Sequence, residues 1–163
     1  MNEKIRNKKV EESITETTKL LQYREINGQN RLFGGRLMEW IDEVAALTAM
    51  RHCGGLVTTC AVDNLRFKYG AYINEIIVLI GKITYVGNTS MEVRVDTYYV
   101  EDIETGIRRA INHAYLIRVH VDNDGKPIPV KYGLEVETLS EKAEWEGAIR
   151  RNAARKQRFS DGY

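Results

Sequence analysis

What most limits the fold of this chain is an order of patterns: one β-leaning run, one amphipathic helix pattern, then four long β-rich runs. The helix pattern begins at Gly34-Gly35 and runs to His52, where Cys53-Gly54-Gly55 stops it. Projected at about 100° per residue, Leu37, Trp40, Ile41, Val44 and Thr48 form one stripe, with Glu39 and Glu43 on the far side. Before it, Glu12–Tyr23 carries Ile14, Thr15, Thr17, Thr18 and Leu20 and reads as a strand. After it come Leu56–Phe67, Glu75–Val86, Ser90–Val100 and Ile107–Asp122, which read as successive antiparallel strands. Each exceeds the usual strand length of about 5–6 residues, as expected where a strongly curved sheet wraps a helix. The expectation is therefore an α+β layer: a curved antiparallel sheet of about five strands around one long central helix. Asn123–Pro127 is a turn, and Thr138–Phe159 reads as a C-terminal helix, capped by Ser140 or Thr138 and charged almost all round. Met1–Lys9 reads as a frayed, charged tip.

The helix start carries chemistry as well as structure. Its first N–H groups have no intrahelical partner, and glycine at 34 and 35 lets a substrate oxygen approach them closely. Gly35, with Arg36 beside it, is thus a candidate oxyanion donor. Asp42 lies on neither the apolar stripe nor the acidic face. Its neighbours at helical contact spacing, Met38, Ala45 and Ala49, cannot pair with its charge. A sheltered carboxylate can orient and deprotonate water, so Asp42 is a candidate general base, although most Asp residues are simply solvated. Asn30, four residues before Gly34, can offer its amide to a carbonyl or to water, or serve only as a turn residue.

Composition narrows the alternatives. The 163 residues are 43% apolar, enough for one core, and 24 Lys+Arg against 23 Asp+Glu leave no global field for nucleic acid or an anionic membrane. The N-terminus lacks a signal-peptide apolar region, and no segment approaches ~18 uninterrupted apolar residues, so a soluble, cytoplasmic protein is expected. Cys53 and Cys60 are read as buried thiols, and a Cys53/His52 nucleophile pair is disfavoured because adjacent residues of an ending helix point apart. His113 and His120, seven apart on one strand, fall on opposite faces, so no metal site is expected. No G-x-G-x-x-G or P-loop is present. Arg150, Arg151, Arg155, Lys156 and Arg158 form a local basic patch, either a phosphate contact or a solvated or subunit-facing helix face.

The run Asn30-Arg31-Leu32-Phe33-Gly34-Gly35-Arg36-Leu37-Met38-Glu39-Trp40-Ile41-Asp42-Glu43-Val44-Ala45-Ala46 resembles the N-x-L-F-G-G-x-L-M-x-x-I-D-E-x-A-A pattern of hotdog-fold acyl-CoA thioesterases. Thr58-Thr59-Cys60-Ala61-Val62-Asp63 through Phe67, Gly87-Asn88-Thr89-Ser90-Met91-Glu92-Val93 and Gly125-Lys126-Pro127-Ile128-Pro129-Val130 are similar to its later motifs, in order, over roughly residues 13–135. Two stretches depart from the family: Lys68-Tyr69-Gly70 and Asn74-Glu75 replace its usual Pro and Gly-Asp, and Tyr23–Gln29 lacks its common Pro and Asp. The resemblance implies a hotdog domain over residues 1–137, with a charged helix and tail over 138–163. It also implies hydrolysis of acyl-CoA to fatty acid and CoA, with CoA as part of substrate and product and no cofactor or metal. By that resemblance Asp42, Asn30 and Gly35 are catalytic. Gly34, Arg36, Thr58, Thr59, Asn88, Thr89 and Ser90 contact substrate or CoA. The Asn and Asp meet across a dimer interface, in a homo-oligomer built as a trimer of dimers. A non-catalytic acyl-CoA-binding or regulatory protein on the same fold is the alternative, and a hotdog dehydratase is a third. Ala45, Ala46 and Ala49 leave room beside Asp42, while Met38, Trp40 and Met50 can close a tunnel, so medium to long acyl chains are expected.

Overall fold

The computed structural model describes residues 4–162. Its centre is α1, Gly34–Cys53, which buries Leu37, Trp40, Ile41, Val44, Ala45, Thr48 and Ala49. The expected stripe therefore faces the core, where each fully buried aliphatic side chain contributes about 1.5–3 kcal/mol. Gly54, at φ 71°, ends the helix and donates its N–H to the Met50 carbonyl at 2.8 Å.

Five antiparallel strands curve around α1 in the order β2-β4-β5-β6-β3: β2 is Thr15–Leu20, β3 Leu56–Phe67, β4 Ile76–Val86, β5 Ser90–Val100 and β6 Arg108–Val121. Helix and sheet meet most closely at Gly81 of β4, where a Cβ would lie 2.2 Å from Thr48 Oγ1 and 3.0 Å from a Val44 methyl. Only glycine admits the helix at that distance.

The strands are antiparallel, but not all are neighbours in succession. β3 pairs with β6 instead of β4, so the segment 68–75 crosses from the edge strand β3 to β4, which lies next to the opposite edge. It is held on the way by Leu32 N–H donating to the Ala71 carbonyl at 2.7 Å and by a bridge between Arg31 and Tyr72. This leaves β2 and β3 as the edges, each with one strand partner.

The frayed-tip reading is corrected over its described part. Arg6–Lys9 is a strand, β1, pairing in parallel with β7, Tyr132–Glu135. Its charges, which suggested fraying, serve as donors. Lys4 Nζ reaches the Gly87 and Val130 carbonyls at 2.9 and 2.7 Å, and Lys8 Nζ reaches those of Arg51 and His52 at 3.0 and 2.9 Å. The second pair supplies the last turn of α1 with a cation, complementing the helix dipole.

The C-terminal helix α2, Leu139–Ser160, starts with a reciprocal cap in which Thr138 Oγ1 accepts from Glu141 N–H at 3.1 Å and Glu141 returns a bond to Thr138 N–H at 2.9 Å. It packs on the outer face of the sheet, with Trp145 against Tyr85 at 4.7 Å between ring centroids. That contact resolves the basic patch. Arg151 pairs with Glu92 at 2.7 Å, Arg155 with Glu92 and Asp63 at 3.2 and 2.8 Å, and Arg158 with Asp63 at 2.9 Å. Glu92 is 1% exposed and also accepts from Thr84 Oγ1 at 2.8 Å. Three of the five basic residues are thus committed to the chain's own carboxylates and are not available as a phosphate cradle.

Candidate active site

Asp42 sits midway along α1, on the flank facing β3 and β6. Its Oδ1 accepts from Thr59 Oγ1 at 2.9 Å and from Arg118 Nη2 at 2.7 Å. Arg118 also donates to the Asp42 carbonyl and to Thr59 Oγ1, closing a ring of three residues from three elements. No residue of α1 pairs with the Asp42 charge; its partner, Arg118, comes from the sheet. The Arg118 side chain is 3% exposed, whereas that of Asp42 is 48% exposed, so the cation lies under the carboxylate and the carboxylate opens outward. Burial draws the Arg118 guanidinium below its ordinary value, opposed by Asp42.

The opening leads into a cavity of about 310 Å³ lined by Gly35, Met38, Ile41, Asp42, Val62, Leu65 and Leu116, with Glu39 at its side. A carboxylate and a helix-start glycine thus border one mostly apolar space. None of the helix alanines lines it, which corrects the sequence-based picture: Ala45 and Ala49 are fully packed in the core, and Met38 borders the cavity instead.

At the helix start no side chain caps the first turn, whose N-cap is Phe33. A Cβ at Gly35 would meet the Phe33 ring at 2.6 Å, and because that side chain is 57% exposed a larger residue there would displace the ring. Arg36, next along, is paired with Glu39 at 2.5 Å.

Asn30 is exposed at φ 58° and borders no described cavity with Asp42. The loop residue tied into place is Asn27. Its Oδ1 accepts from the N–H groups of Gln29 and Arg31 at 2.9 and 3.3 Å, and its own N–H donates to the Arg31 carbonyl at 2.7 Å. Such bonding fixes the amide with its oxygen occupied and its NH₂ left to donate. Asn27 lines a second cavity of about 340 Å³ with Gly34, Leu37, Phe67, Lys68 and Tyr69. Within one protomer the two cavities are separate, on either side of the α1 start.

Of the remaining candidates, Thr59 joins Asp42, while Thr58 is exposed one position away. Asn88, Thr89 and Ser90 form the β4–β5 hairpin, and the carbonyls of Asn88 and Thr89 are taken by the N–H groups of Val130 and His120 at 2.7 and 2.8 Å. They border neither cavity. Cys53 is buried and its thiol is pushed up by desolvation, whereas Cys60 is exposed, against the expectation that both are buried. Among the described residues no cluster of three metal-ligating side chains occurs, and no helix is long and apolar enough to cross a membrane.

A family model described as Thioesterase superfamily matches residues 29–104. A Bacillus subtilis protein named an uncharacterized acyl-CoA thioester hydrolase, YkhA, is 34% identical over 120 residues, covering 74% of this chain and 69% of that one. Among solved structures, an apo-hexameric acyl-CoA thioesterase superposes with a TM-score of 0.88 at 38% identity, covering 94% of this chain and 97% of that one. An acyl-CoA hydrolase from Staphylococcus aureus, solved with butyryl coenzyme A and coenzyme A, superposes with a TM-score of 0.87 at 32% identity, covering 94% and 93%. Further structures of that hydrolase carry single alanine substitutions of an Asp, of an Asn fifteen positions before it, and of a Thr seventeen positions after it.

Proposed function

The chain belongs to the acyl-CoA thioester hydrolases of the Thioesterase superfamily, with a hotdog fold, and from that premise we propose that it hydrolyses acyl-CoA by water activated at Asp42. The observation that carries the mechanism is the division of the Asp42 carboxylate. Oδ1 holds two donors, and Oδ2, without a hydrogen-bond partner among the described residues, is left to accept a proton from water in the cavity. A thioester carbonyl placed against the Gly35 N–H would have its developing oxyanion met by an uncapped helix N-terminus. Met38, Ile41, Val62, Leu65 and Leu116 supply an apolar wall for the acyl chain. Thiolate is a fair leaving group, so these protein groups and water complete the reaction in principle.

An amide donor completes the site, and Asn27 fits better than Asn30. Asn27 stands fifteen positions before Asp42, and Thr59 seventeen after it, the spacings of the substituted Asn and Thr in the S. aureus hydrolase. Because the Asn27 and Asp42 cavities are separate in one protomer, the proposed site is composite, with Asn27 of one subunit facing Asp42 of another. The twelve-residue edge strand β3 supports association: among the described residues it pairs only with β6, and it exposes Leu56, Val62 and Phe67 at 48%, 46% and 53%. A homo-oligomer follows, and the hexamer of the similar thioesterase suggests a trimer of such dimers.

The test is CoA release from butyryl-, decanoyl- and palmitoyl-CoA by the wild-type protein and by Asp42→Asn. The expected loss in kcat is ~10²–10⁴, the range for removing a general base. Near wild-type turnover in the folded variant would remove Asp42 from the chemistry. Tight acyl-CoA binding without any release by the wild type would favour the non-catalytic reading.

A further inference from the structure

Arg118 is an anomaly in its strand. Along β6 the inward positions alternate with outward ones, and Leu116, paired with Val62 and Val93, faces the helix. Arg118, two residues on, occupies the same inward face, where its side chain is 3% exposed and its Nε has no partner among the described residues. A guanidinium in that position costs several kcal/mol of desolvation unless charge and hydrogen bonds offset it. Among the described residues its one ion-pair partner is Asp42. Two of its contacts go to Asp42, one to the carboxylate and one to the backbone carbonyl, and a third goes to Thr59, which itself donates to Asp42.

We infer that Arg118 is a positioning residue for thioester hydrolysis: it locks Asp42 Oδ1 from beneath, together with Thr59, so that Oδ2 is presented to the cavity. The inference rests on the reading of Asp42 as general base. Arg118 does not reach the cavity lining, so it acts through Asp42 and not on the substrate. A carboxylate on a helix flank otherwise samples several rotamers, and 48% exposure leaves it room to do so. Anchoring one oxygen from two strands removes that freedom before substrate arrives. Fixing also the Asp42 carbonyl ties the helix position itself to β6, so side chain and backbone are set by the same guanidinium.

The test uses Arg118→Met, which keeps length and loses all donors, Arg118→Lys, which keeps charge and loses the fork, and Asp42→Asn as control. Steady-state hydrolysis of butyryl-CoA and calorimetric binding of CoA are measured on each full-length protein. The expected result is a fall in kcat of ~10²-fold for Arg118→Met, the scale of a ~1 Å misplacement, with KM and CoA affinity changed by less than about threefold. Arg118→Lys should recover part of that loss. Wild-type kcat in Arg118→Met while Asp42→Asn is inactive would overturn the positioning role and leave the base reading standing. Activity in Asp42→Asn would overturn both. Parallel losses of kcat and CoA affinity would make Arg118 a structural tie only, and also overturn the inference. Should Arg118→Met fail to fold, Arg118→Lys decides alone: reduced kcat at unchanged KM supports the role, and wild-type kcat refutes it.

Discussion

His52, in the last turn of α1, is fully buried, and its protonation should set an acid limit on stability. Its Nδ1 lies 3.0 Å from Ser13 Oγ and its Nε2 3.4 Å from the Tyr132 carbonyl, a network satisfied by neutral imidazole with Nε2–H donating to the carbonyl and Ser13 donating to Nδ1. Desolvation lowers its pKa from 6.5 to about 4, and the nearby Lys8 ammonium acts in the same direction. Between those two values the unfolded chain binds a proton that the folded chain refuses. Stability is therefore highest above pH 6.5 and falls as pH drops toward 4. Taking 1.36 kcal/mol per unit, the loss is about 2 kcal/mol at pH 5 and about 3 kcal/mol near pH 4. The measurement is urea unfolding of wild type and His52→Gln at fixed protomer concentration from pH 7.5 to 4. Carboxylates titrate in both proteins, so the difference between the two curves isolates His52. The wild-type curve should fall more steeply with decreasing pH by the amounts given. Parallel curves, or an imidazole NMR titration midpoint near 6.5, would refute the buried-neutral account.

Three other experiments separate parts of the site and scaffold. Asn27→Ala should lower kcat with little change in melting temperature, whereas Asn30→Ala should be close to neutral; the reverse ranking in CoA-release assays would return the amide role to Asn30. Inactive Asn27→Ala and Asp42→Asn chains, refolded together, should regain part of the activity, and no recovery despite verified subunit exchange would place both groups in one protomer. Replacing buried Glu92 with Ala strands the guanidinium groups of Arg151 and Arg155 and should cost about 3 kcal/mol in urea unfolding, the low end for breaking a buried pair because Asp63 and Glu144 remain. A loss below about 1 kcal/mol would mean that the α2 contact is apolar in its energetics.

The helix and the four long strands were legible because each carries a strong local pattern: a single apolar stripe on α1, and β-branched runs bounded by Gly, Asn and Asp. Tertiary pairing was not. Nothing local tells that β3 crosses past β4 to join β6, because the linking segment reads as an ordinary turn until Ala71 and Tyr72 are seen to bond back to the Leu32 loop. Charge misled twice for one reason: Lys4 and Lys8 find backbone carbonyls, and Arg151, Arg155 and Arg158 find carboxylates far away in sequence. Arg118 did leave a signal. Counting by twos from Leu116 puts a cation on the apolar face, and such a residue demands a carboxylate opposite.

The edge strand explains why the wall of the Asp42 cavity could not be found by alternation. Thr59, Val62 and Leu65 all face the helix although they are three residues apart, a spacing that a regular strand of period two cannot present on one side. Two bulges make it possible. Thr59 pairs with Arg118 and Ala61 with Ile117, so Cys60 is an extra residue; Asp63 pairs with Tyr115 and Arg66 with His113, so a second extra residue falls at Asn64-Leu65, where Asn64 takes φ 54°. Each bulge shifts the phase of β3 by one, returning the next side chain to the inner face. The first aims Thr59 at the carboxylate and then restores Val62 to the apolar wall. The second does the same for Leu65, while leaving Asp63 outward for Arg155 and Arg158 of α2. One strand thereby orients Asp42, lines the cavity and anchors the outer helix, and its irregular register is the physical means by which the three roles coexist.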